Sequence, residues 1–577
     1  MSLRDEAIAA LDRVRGGERP ADLESETLDF KEDRAAPGET ERLLAEAAIC
    51  FANSAGGTVV LGVADRERGE AALTGTALTP ERIRQRVHEL STPPLTVEVS
   101  RYLADPAVLL ILVPQSADIH SDRQGRAFRR INRDCLPMDP WQQERLREER
   151  RGIDWSAQAA ATSLDGLVPE AMGMARRLLA ALPDLRRSLA QLSDRDLLAA
   201  IGALTGDGRL NHGGAVMFAG PDRDLPEMVA YQYRATPGGD PRAADRLATP
   251  GIIAFERTMG LISARQSLTP LALPNGQRLE LADFPLLAVR EALSNAFCHR
   301  DYRLPGPIQI EHSPSILLIA SPGPLVSGVT PQNILTTPSR PRNAALTKIV
   351  RSLGLAEETG RGIDRMWREM IRSGRPVPTI EADIHQVRVV LTGGAPNTQI
   401  ARFVADMPAD EREDTDTMLI LMHLCARRTV TADQAAPLLQ RSPAEAEAVL
   451  RRLASDPVGL IERTRQSGPR RKGVYRLRGE AIRKLGTAVT YHRPSTDDTD
   501  RKIIAHVQDY GHINNRTLQN FLDVGVYQAR DIIGNLVERG ILARISPQQR
   551  GPNVVWGKGS KFPSPSPRRS RQMKSDQ

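Results

Sequence analysis

The sequence predicts a multidomain protein of α/β and α+β units that ends in two copies of a mostly helical module. The chain has 577 residues, too many for one hydrophobic core, so we expect three to five domains. Strand-like and helical periods alternate up to about residue 395, and helical periods dominate the remainder. Hydrophobic residues at 40% and charged residues at 26% indicate an ordinary soluble globular protein.

The N-terminal part of the chain predicts one compact α/β domain between two helices. Residues 1–19 predict a short helix, and residues 20–138 combine two helical segments with apolar strands such as AVLLILVP. Residues 139–164 contain the charged helix WQQERLREERRGIDW, which we interpret as a connector.

A second α/β or α+β unit is expected over residues 165–395. GRLNHGGAVMFAG (208–220) is interpreted as a strand, and LLAVREALSNAFCHRDY (286–302) predicts a strong helix. PIQIEHSPSILLIASPG (307–323) predicts two strands around a polar turn.

Composition and cysteine spacing limit the class of protein. The four cysteines at 50, 135, 298 and 425 lie far apart without metal-ligand spacing, which predicts reduced packing thiols in a cytoplasmic protein, with nucleoid association as an option. The N-terminus has no apolar signal core, and no apolar run of about 18 residues predicts a membrane helix. The net charge of +7 fits an anionic partner.

Three carboxylates near the N-terminus form the first candidate site. ESETLDFKED (24–33) places Glu24 and Asp29 at a strand start, and FANSAGGTVVLGVAD (51–65) places Asp65 at a strand end. Converging carboxylates are able to hold Mn²⁺ or Mg²⁺ and assist phosphodiester cleavage. The alternative is that all three are solvated charges at strand edges around a Gly-Gly turn.

Together these two motifs resemble the Schlafen AlbA_2 domain, a nucleic-acid-associated module. In nucleolytic Schlafens, two acids five residues apart and a later aspartate form a catalytic metal site. The resemblance places Glu24, Asp29 and Asp65 at those positions, although the second acid is commonly glutamate and here is aspartate. Most bacterial proteins with this domain are regarded as regulators, so the resemblance implies nuclease activity only as an alternative.

The second candidate site lies on the helix REALSNAFCHRDY. Glu291 and Asn295 are four residues apart and therefore project from one helix face. A carboxylate there is able to orient water for an ATPase-like reaction, and an amide oxygen is able to bind Mg²⁺. The alternative is an exposed polar stripe, with Arg300 and Asp301 as ordinary charges that end the helix.

Two glycine-containing segments follow that helix, IASPGPL (319–325) and EETGRGIDRM (357–366). In this order the motifs resemble a divergent gyrase and histidine-kinase type (GHKL) ATP-binding domain, the module that accompanies AlbA_2 domains in bacterial regulators. The resemblance implies ATP or another nucleotide with Mg²⁺, a metal ligand at Asn295, and glycine boxes at Gly323, Gly360 and Gly362. It departs from the family at the first box, where no aspartate precedes Gly323 to read adenine.

Residues 411–486 and 496–558 repeat one layout of three helices and two strands around a polar turn. This layout is typical of a winged helix-turn-helix domain, in which the third helix enters the major groove of DNA. The tail 559–577, rich in Pro, Ser, Arg and Lys, is predicted to be disordered. Candidate nucleic-acid contacts are Arg470, Arg471, Lys472, Gln528, Arg530 and Arg550.

Three functions are consistent with these patterns. The first is a DNA-binding transcriptional regulator, expected as a homo-oligomer such as a dimer, whose winged helices respond to a nucleotide. The second is a metal-dependent nuclease acting on RNA or single-stranded DNA, with a role in phage defence. The third is a scaffold that oligomerises through the middle domain, and winged helices that serve dimerisation would fit it.

Overall fold

The computed structural model describes residues 3–34, 36, 38–131, 133–220, 227–273, 276–356, 362–456, 458–464, 473–489, 496–522, 525–548 and 554–563. For residues 496–499, 501–502, 509, 520–522 and 527–528 it describes the backbone alone. The chain forms two compact units, one of Met1–His423 with Thr429–Lys484 and the other of Leu424–Arg428 with Leu485–Gln577.

The N-terminal domain is a four-stranded sheet with apolar residues buried on both faces. The strand order is β1-β2-β5-β4, with β1 and β2 parallel and the other pairs antiparallel. Two separate apolar clusters cover the sheet, one beneath α3 and α4 and the other beneath α1. The elements are α1 (Leu3–Arg15), α2 (Pro20–Leu23), β1 (Leu28–Lys31), α3 (Glu39–Ala52), β2 (Gly57–Leu61), α4 (Pro80–Leu90), β3 (Ser91–Thr92), β4 (Glu98–Ala104), β5 (Ala107–Val113), β6 (Ser121–Asp122), β7 (Ala127–Ile131), β8 (Asp134–Met138) and the connector α5 (Pro140–Arg150).

The prediction that all cysteines are reduced is wrong for one pair. Cys50 of α3 and Cys135 of β8 form a disulfide, with Cα atoms 6.1 Å apart. Their separation of 85 residues gave no spacing signal, because helix α3 meets β8 only in the tertiary fold. Cys298 and Cys425 are buried and are not disulfide-bonded, as expected.

The middle domain is a six-stranded mixed sheet with helices packed against it. The strand order is β10-β9-β13-β14-β16-β15, and β13 runs parallel to β9. The elements are α6 (Pro169–Ala181), α7 (Asp194–Ile201), α8 (His212–Phe218), β9 (Val229–Arg234), β10 (Pro241–Leu247), α9 (Gly251–Ser263), β11 (Leu268–Ala272), β12 (Arg278–Ala282), α10 (Leu286–His299), β13 (Ile308–His312), β14 (Ile316–Pro322), α11 (Ala344–Ser352), α12 (Gly362–Arg372), β15 (Thr379–Ala382) and β16 (Gln386–Thr392).

One expected strand of the middle domain is a helix instead. Residues 208–220, interpreted as a strand, contain α8, whose first turn is capped by the Asn211 side chain accepting the Gly214 N–H at 2.7 Å. Every residue of α8 after His212 is buried, so the apolar run has no amphipathic period to mark it as a helix.

The C-terminal segments repeat one order of elements, in agreement with the internal repeat in the sequence. Each contains helix, short strand, two helices and two strands, with the first strand pairing with the last. Their identity as winged helices stays a prediction. The elements are α13 (Thr398–Ala405), α14 (Ala409–Arg412), α15 (Thr415–Ala426), β17 (Val430–Thr431), α16 (Ala432–Leu439), α17 (Pro443–Ala454), β18 (Ile461–Arg463), β19 (Val474–Leu477), α18 (Gly479–Leu485), α19 (Thr496–Tyr510), β20 (Ile513–Asn514), α20 (Asn515–Leu522), α21 (Val526–Glu538), β21 (Leu542–Arg544) and β22 (Val555–Lys558).

Within the described ranges, none of the helices has the length and apolar character needed to cross a lipid bilayer.

Candidate nucleotide pocket and carboxylate pair

A cleft of about 1300 Å³, open solvent included, lies in the middle domain between α10, α12 and the sheet. Its floor is apolar and consists of Ile319 on β14 with Val387 and Val389 on β16. One wall is residues 324–341, which we call the pocket loop; several of its residues, from Pro324 to Pro341, line the cleft.

Glu291 and Asn295 both face this cleft from α10, as their spacing predicts. Glu291 is 1% exposed, and its Oε1 lies 3.6 Å from Nη1 of Arg365 on α12. The Asn295 Nδ2 is buried and has no hydrogen-bond partner among the described residues. A buried N–H donor without an acceptor costs free energy, so this geometry favours a ligand that places an acceptor oxygen beside the Asn295 Nδ2.

The two described glycines of the predicted boxes also border the cleft. Gly362 begins α12, and a Cβ there would lie 2.6 Å from the Glu291 Oε2. The start of α12 therefore approaches the acid closely, and a helix N-terminus favours phosphate. Gly360, the other residue of this box, lies outside the described residues.

Gly323 is held in a backbone conformation that only glycine adopts without strain. Its φ is +103°, and a Cβ would lie 2.9 Å from the Cβ of Asp301. We expect Gly323→Ala to lower the free energy of unfolding by about 2–3 kcal/mol, from the backbone strain and the overlap together. Thermal unfolding beside Gly306→Ala, whose positive φ carries no overlap within 4 Å, separates the two causes. Equal losses in both variants would contradict the close approach.

The electrostatics of the pocket come from arginines rather than from His299. Burial, with the nearby Arg342 and Arg351, lowers the pKa of His299 to about 4, so the ring is neutral at pH 7. Arg351 and Arg340 line the cleft and bring positive charge to it. Ser321, which stands where an adenine-reading aspartate is usual, instead donates its hydroxyl to the Ala296 carbonyl at 3.0 Å. The pocket thus favours phosphates more clearly than it selects a base.

Helix α10 ends before Arg300 as expected, but the expectation that Arg300 and Asp301 are ordinary charges is wrong. Both are 1% exposed. Arg300 donates to the carbonyls of Leu304 at 3.1 Å and Gly306 at 2.5 Å, and its guanidinium lies 4.7 Å from the Tyr302 ring centroid. These contacts hold the turn after α10, which the sequence did not indicate because they depend on long side chains folding back over the chain.

The N-terminal acids divide into a pair and a separate residue. Glu24 and Asp29 interact closely, and burial followed by the Asp29 carboxylate raises the pKa of Glu24 to about 7. Asp29 is 3% exposed and lies 2.8 Å from Lys31 Nζ and 3.5 Å from Arg130 Nη2. Arg130 also donates to backbone carbonyls of residues 25 and 28, so it fixes this segment.

Asp65 does not complete a metal site with that pair. Its side chain is exposed, and its described contact is the backbone carbonyl accepting the Ala21 N–H. In the described part of the chain, no group of three or more His, Cys, Asp or Glu residues is placed to hold a metal ion. The three-carboxylate convergence predicted for Mn²⁺ or Mg²⁺ is therefore not formed in this structure.

The raised pKa of Glu24 predicts a pH-dependent stability. A folded-state pKa of about 7, above the ordinary value near 4.5, means that stability declines as pH rises between these values. We expect Glu24→Gln to stabilise the protein by about 1–2 kcal/mol at pH 8, allowing for partial solvent screening, and to have little effect at pH 4. Thermal midpoints at both pH values test this, with the exposed neighbour Glu32→Gln as control. An equal effect of Glu24→Gln at both pH values would contradict the pairing.

Two family models match this chain. One, described as "Schlafen, AlbA_2", matches residues 24–139, and the other, described as "Putative ATP-dependent DNA helicase recG C-terminal", matches residues 306–391. The chain carries a Schlafen AlbA_2 domain and a HATPase_c_4 domain. Both resemblances identified in the sequence are thereby confirmed.

A solved structure supports the multidomain α/β and α+β fold. The chain is 25% identical to the DIP2311 protein from Corynebacterium diphtheriae, with a TM-score of 0.50 over 84% of this chain and 99% of that chain. No curated protein matches the chain.

The match to the HATPase_c_4 domain covers only part of the residues that line the pocket. Residues 306–391 include Gly323, Gly360 and Gly362, but Glu291 and Asn295 precede the matched range. Their assignment rests on their position in the cleft. Glu24, Asp29 and Asp65 all lie within the AlbA_2 domain match.

Few of the predicted nucleic-acid contacts lie in the described chain. Arg530 is exposed on α21, and only the backbone of Gln528 is described there. Four other candidates lie outside the described residues: Arg470, Arg471, Lys472 and Arg550. Their role stays a prediction from sequence.

Proposed function

We propose that this chain is a cytoplasmic DNA-binding transcriptional regulator, and that ATP or another nucleotide with Mg²⁺ in the middle domain controls its contact with DNA. The AlbA_2 and HATPase_c_4 domains support the coarser statement, a nucleic-acid-related protein with DNA or RNA as partner. The finer statement rests chiefly on one set of contacts, made by Gln440.

Gln440 joins the wall of the nucleotide pocket to the first C-terminal module. Its Oε1 accepts the Leu335 N–H at 2.7 Å, and its Nε2 donates to the Pro331 carbonyl at 2.8 Å. The Thr336 hydroxyl donates to the Gln440 carbonyl at 3.1 Å. Leu335 and its neighbour Ile334 line the pocket, so a ligand that moves the pocket loop also acts on these hydrogen bonds.

The place of Gln440 in the module gives these bonds their importance. It follows α16 and precedes α17, with a φ of +53°. In the predicted winged helix these are the second and third helices, and the third is the one expected in the major groove. A shift of the pocket loop would therefore be transmitted to the turn that sets the direction of the DNA-reading helix.

The pocket loop is also tied to the AlbA_2 domain. Gln115, just after β5, donates from its Nε2 to the Ser327 hydroxyl at 3.1 Å, and Glu149 of α5 accepts the Ser327 N–H. The pocket loop thus contacts both the N-terminal part of the chain and the first C-terminal module. These contacts support a conformational switch rather than a site that only binds nucleotide.

Asn295 and the start of α12 fit the proposed cofactor. Asn295 would supply an oxygen ligand to Mg²⁺, while Gly362 lets the start of α12 come close to the Glu291 carboxylate at the edge of the cleft. Bound Mg²⁺ neutralises phosphate charge. Glu291 is placed to orient water, which would give weak ATPase activity.

The DNA contacts in this proposal are Arg530 with the candidates on the wings and α21, namely Arg470, Arg471, Lys472, Gln528 and Arg550. Their guanidinium, ammonium and amide groups suit phosphate and base edges. A homo-oligomer, with a dimer as the simplest form, would match symmetric DNA sites.

Calorimetric titration of the full chain with ATP, with and without Mg²⁺, tests the proposal. We expect saturable ATP binding that is tighter with Mg²⁺. We also expect ATP to change the affinity of the protein for a DNA fragment that footprinting identifies near the protein's own gene. The absence of binding heat under both conditions, or unchanged DNA affinity at saturating ATP, would refute it.

A metal-dependent nuclease is the second candidate function, and the close approach of the Glu24 and Asp29 carboxyl groups favours it. Two close carboxylates offer oxygen ligands for Mn²⁺, although the exposed Asp65 adds none in this arrangement. Incubation of wild type and Glu24→Ala with tRNA and single-stranded DNA in Mn²⁺ tests it. Cleavage by wild type alone supports a nuclease, and equal inertness removes that candidate.

A further inference from the structure

A second cleft lies where the connector α5 meets the chain after α10, and we call it the junction cleft. It measures about 1350 Å³, open solvent included, between α5, residues 301–303 and residues 340–344. Val326, Arg340 and Pro341 of the pocket loop line both this cleft and the nucleotide pocket. The two cavities therefore share one wall, which includes Arg340, while their other polar lining residues differ.

The junction cleft contains a buried guanidinium without a hydrogen bond. Arg145 of α5 is 5% exposed, and its Nη1 lies 3.6 Å from the Asp301 Oδ2, beyond hydrogen-bond distance. Its Nε also has no partner among the described residues. Burying a guanidinium is costly unless acceptors satisfy its N–H groups, so the cleft lacks acceptors where Arg145 needs them.

Three guanidinium groups surround the one carboxylate of Asp301. Besides Arg145, the Arg303 Nε lies at 3.1 Å and the Arg342 Nη1 at 3.9 Å. Arg303 has a second acid in Glu148, whereas Arg145 and Arg342 have no second acid within ion-pair distance in the described chain. Positive charge is thus in excess around Asp301.

The other acids of the cleft already have partners. Asp154 accepts the N–H groups of Ser156 at 2.9 Å and Ala345 at 2.7 Å. Glu149 accepts the Ser327 N–H. Neither acid is an ion-pair partner of Arg145 within the described residues, and Glu149 acts on Arg145 only as a more distant negative charge.

Arg129 on β7 adds a further guanidinium close by. It interacts electrostatically with Glu149 and Arg342, and with the described residues it forms no hydrogen bond or ion pair. Burial, with Arg342 and then Arg129 as positive neighbours, lowers the pKa of Arg145 to about 10, while Asp301 opposes that shift. Arg129 does not line the junction cleft; with Arg145 it lines an adjoining cleft, so its charge acts on a ligand at Arg145 without a direct contact being required.

We propose that the junction cleft binds a small phosphate-type anion with two or more negative charges, held by Arg145 and Arg342 with Arg129 beside them. The planar donor pairs of guanidinium groups match phosphate oxygens, and such an anion supplies the acceptors that Arg145 lacks. Because the shared wall is the pocket loop, the anion stabilises that loop from the side opposite to the nucleotide. This site is additional to the proposed function and does not depend on it.

Inorganic pyrophosphate in EDTA is the probe, titrated into the full chain by calorimetry. We expect binding by wild type, unchanged binding by Asn295→Ala, and a loss of at least about tenfold in Arg145→Met and Arg129→Met. The exposed Arg101→Met is the matched control and is expected to bind as wild type does. Without ligand, Arg145→Met is expected to have an equal or higher thermal midpoint, because it removes a buried, poorly compensated charge.

Several results overturn the proposal. These are no pyrophosphate binding by wild type, wild-type affinity in both arginine variants, or loss of binding in Asn295→Ala, which would place pyrophosphate in the nucleotide pocket. If Arg145→Met lowers the thermal midpoint, pyrophosphate binding by Arg129→Met becomes the deciding measurement. Wild-type affinity for pyrophosphate in Arg129→Met then overturns the proposal. Failure of ATP to bind at all leaves these outcomes unaffected, so the two proposals fail separately.

Discussion

Asn295→Ala is expected to weaken Mg²⁺-dependent ATP binding by about 100-fold. Loss of a metal ligand removes roughly 3 kcal/mol of interaction with a charged group, and each 1.4 kcal/mol is tenfold in affinity. Asn295 faces the cleft with a buried amide nitrogen that lacks a partner among the described residues, so truncation removes no hydrogen bond from the fold. Calorimetry with and without Mg²⁺ measures the effect, and the advantage that Mg²⁺ gives should disappear.

Two variants make the Asn295 result specific. Asn535→Ala, on the exposed face of α21, removes a helical asparagine far from the cleft in sequence and should leave the ATP affinity unchanged. Glu291→Gln should retain ATP binding within about threefold while abolishing any hydrolysis, because it keeps the shape of the side chain and removes the base. Equal Mg²⁺-dependent affinity in wild type and Asn295→Ala would remove Asn295 from the site.

Gln440→Gly is expected to separate nucleotide binding from DNA binding. Glycine accepts the positive φ of this position and removes both side-chain hydrogen bonds to the pocket loop, each worth about 1 kcal/mol. When one ligand controls the binding of another, it commonly changes the affinity for the second by about 5–150-fold. We expect ATP to change the DNA affinity of wild type within this range, and that of Gln440→Gly by about twofold or less. Fluorescence anisotropy of labelled DNA, with and without saturating ATP, measures it.

The controls for Gln440 separate the role of its hydrogen bonds to the pocket loop from the proposed function as a whole. Gln440→Asn tolerates the same backbone conformation but is one methylene shorter, so it should uncouple as well. Gln332→Ala, an exposed glutamine of the same loop, should keep the full response. If Gln440→Gly binds ATP and ATP still changes its DNA affinity as in wild type, the effect of the nucleotide does not depend on the Gln440 hydrogen bonds.

Local patterns in the sequence were sufficient for much of the middle domain. The spacing of Glu291 and Asn295 predicted a shared helix face, and both residues line the cleft, because four residues make about one helical turn. The polar turn between β13 and β14 and the repeated C-terminal order of elements were likewise visible, since they depend on residues adjacent in the chain. The fully buried α8 was not, because an apolar run without a polar face has no period to identify it.

The N-terminal acids mark where sequence spacing reaches its limit. Glu24 and Asp29 are five residues apart and do meet, but Asp65 follows a different strand, and its exposed side chain is not brought to them. The Cys50–Cys135 disulfide is the converse, a contact across 85 residues without a spacing signal. Packing of α3 against the β7–β8 hairpin brings the two cysteines together, whereas the exposed Asp65 side chain does not join the acid pair in a metal site.

The sequence by itself determined the two domain families, the repeated order of elements near the C-terminus, and the residues that face one another across a single helical turn. Only the tertiary structure decided that Arg145 and Arg342 both lie beside the Asp301 carboxylate. It also decided that Gln440 forms hydrogen bonds with the pocket loop, about a hundred residues earlier in the chain. The physical reason is that helical periodicity is a property of neighbouring residues. Compensation of a buried charge and hydrogen bonds between modules depend instead on which distant segments pack together.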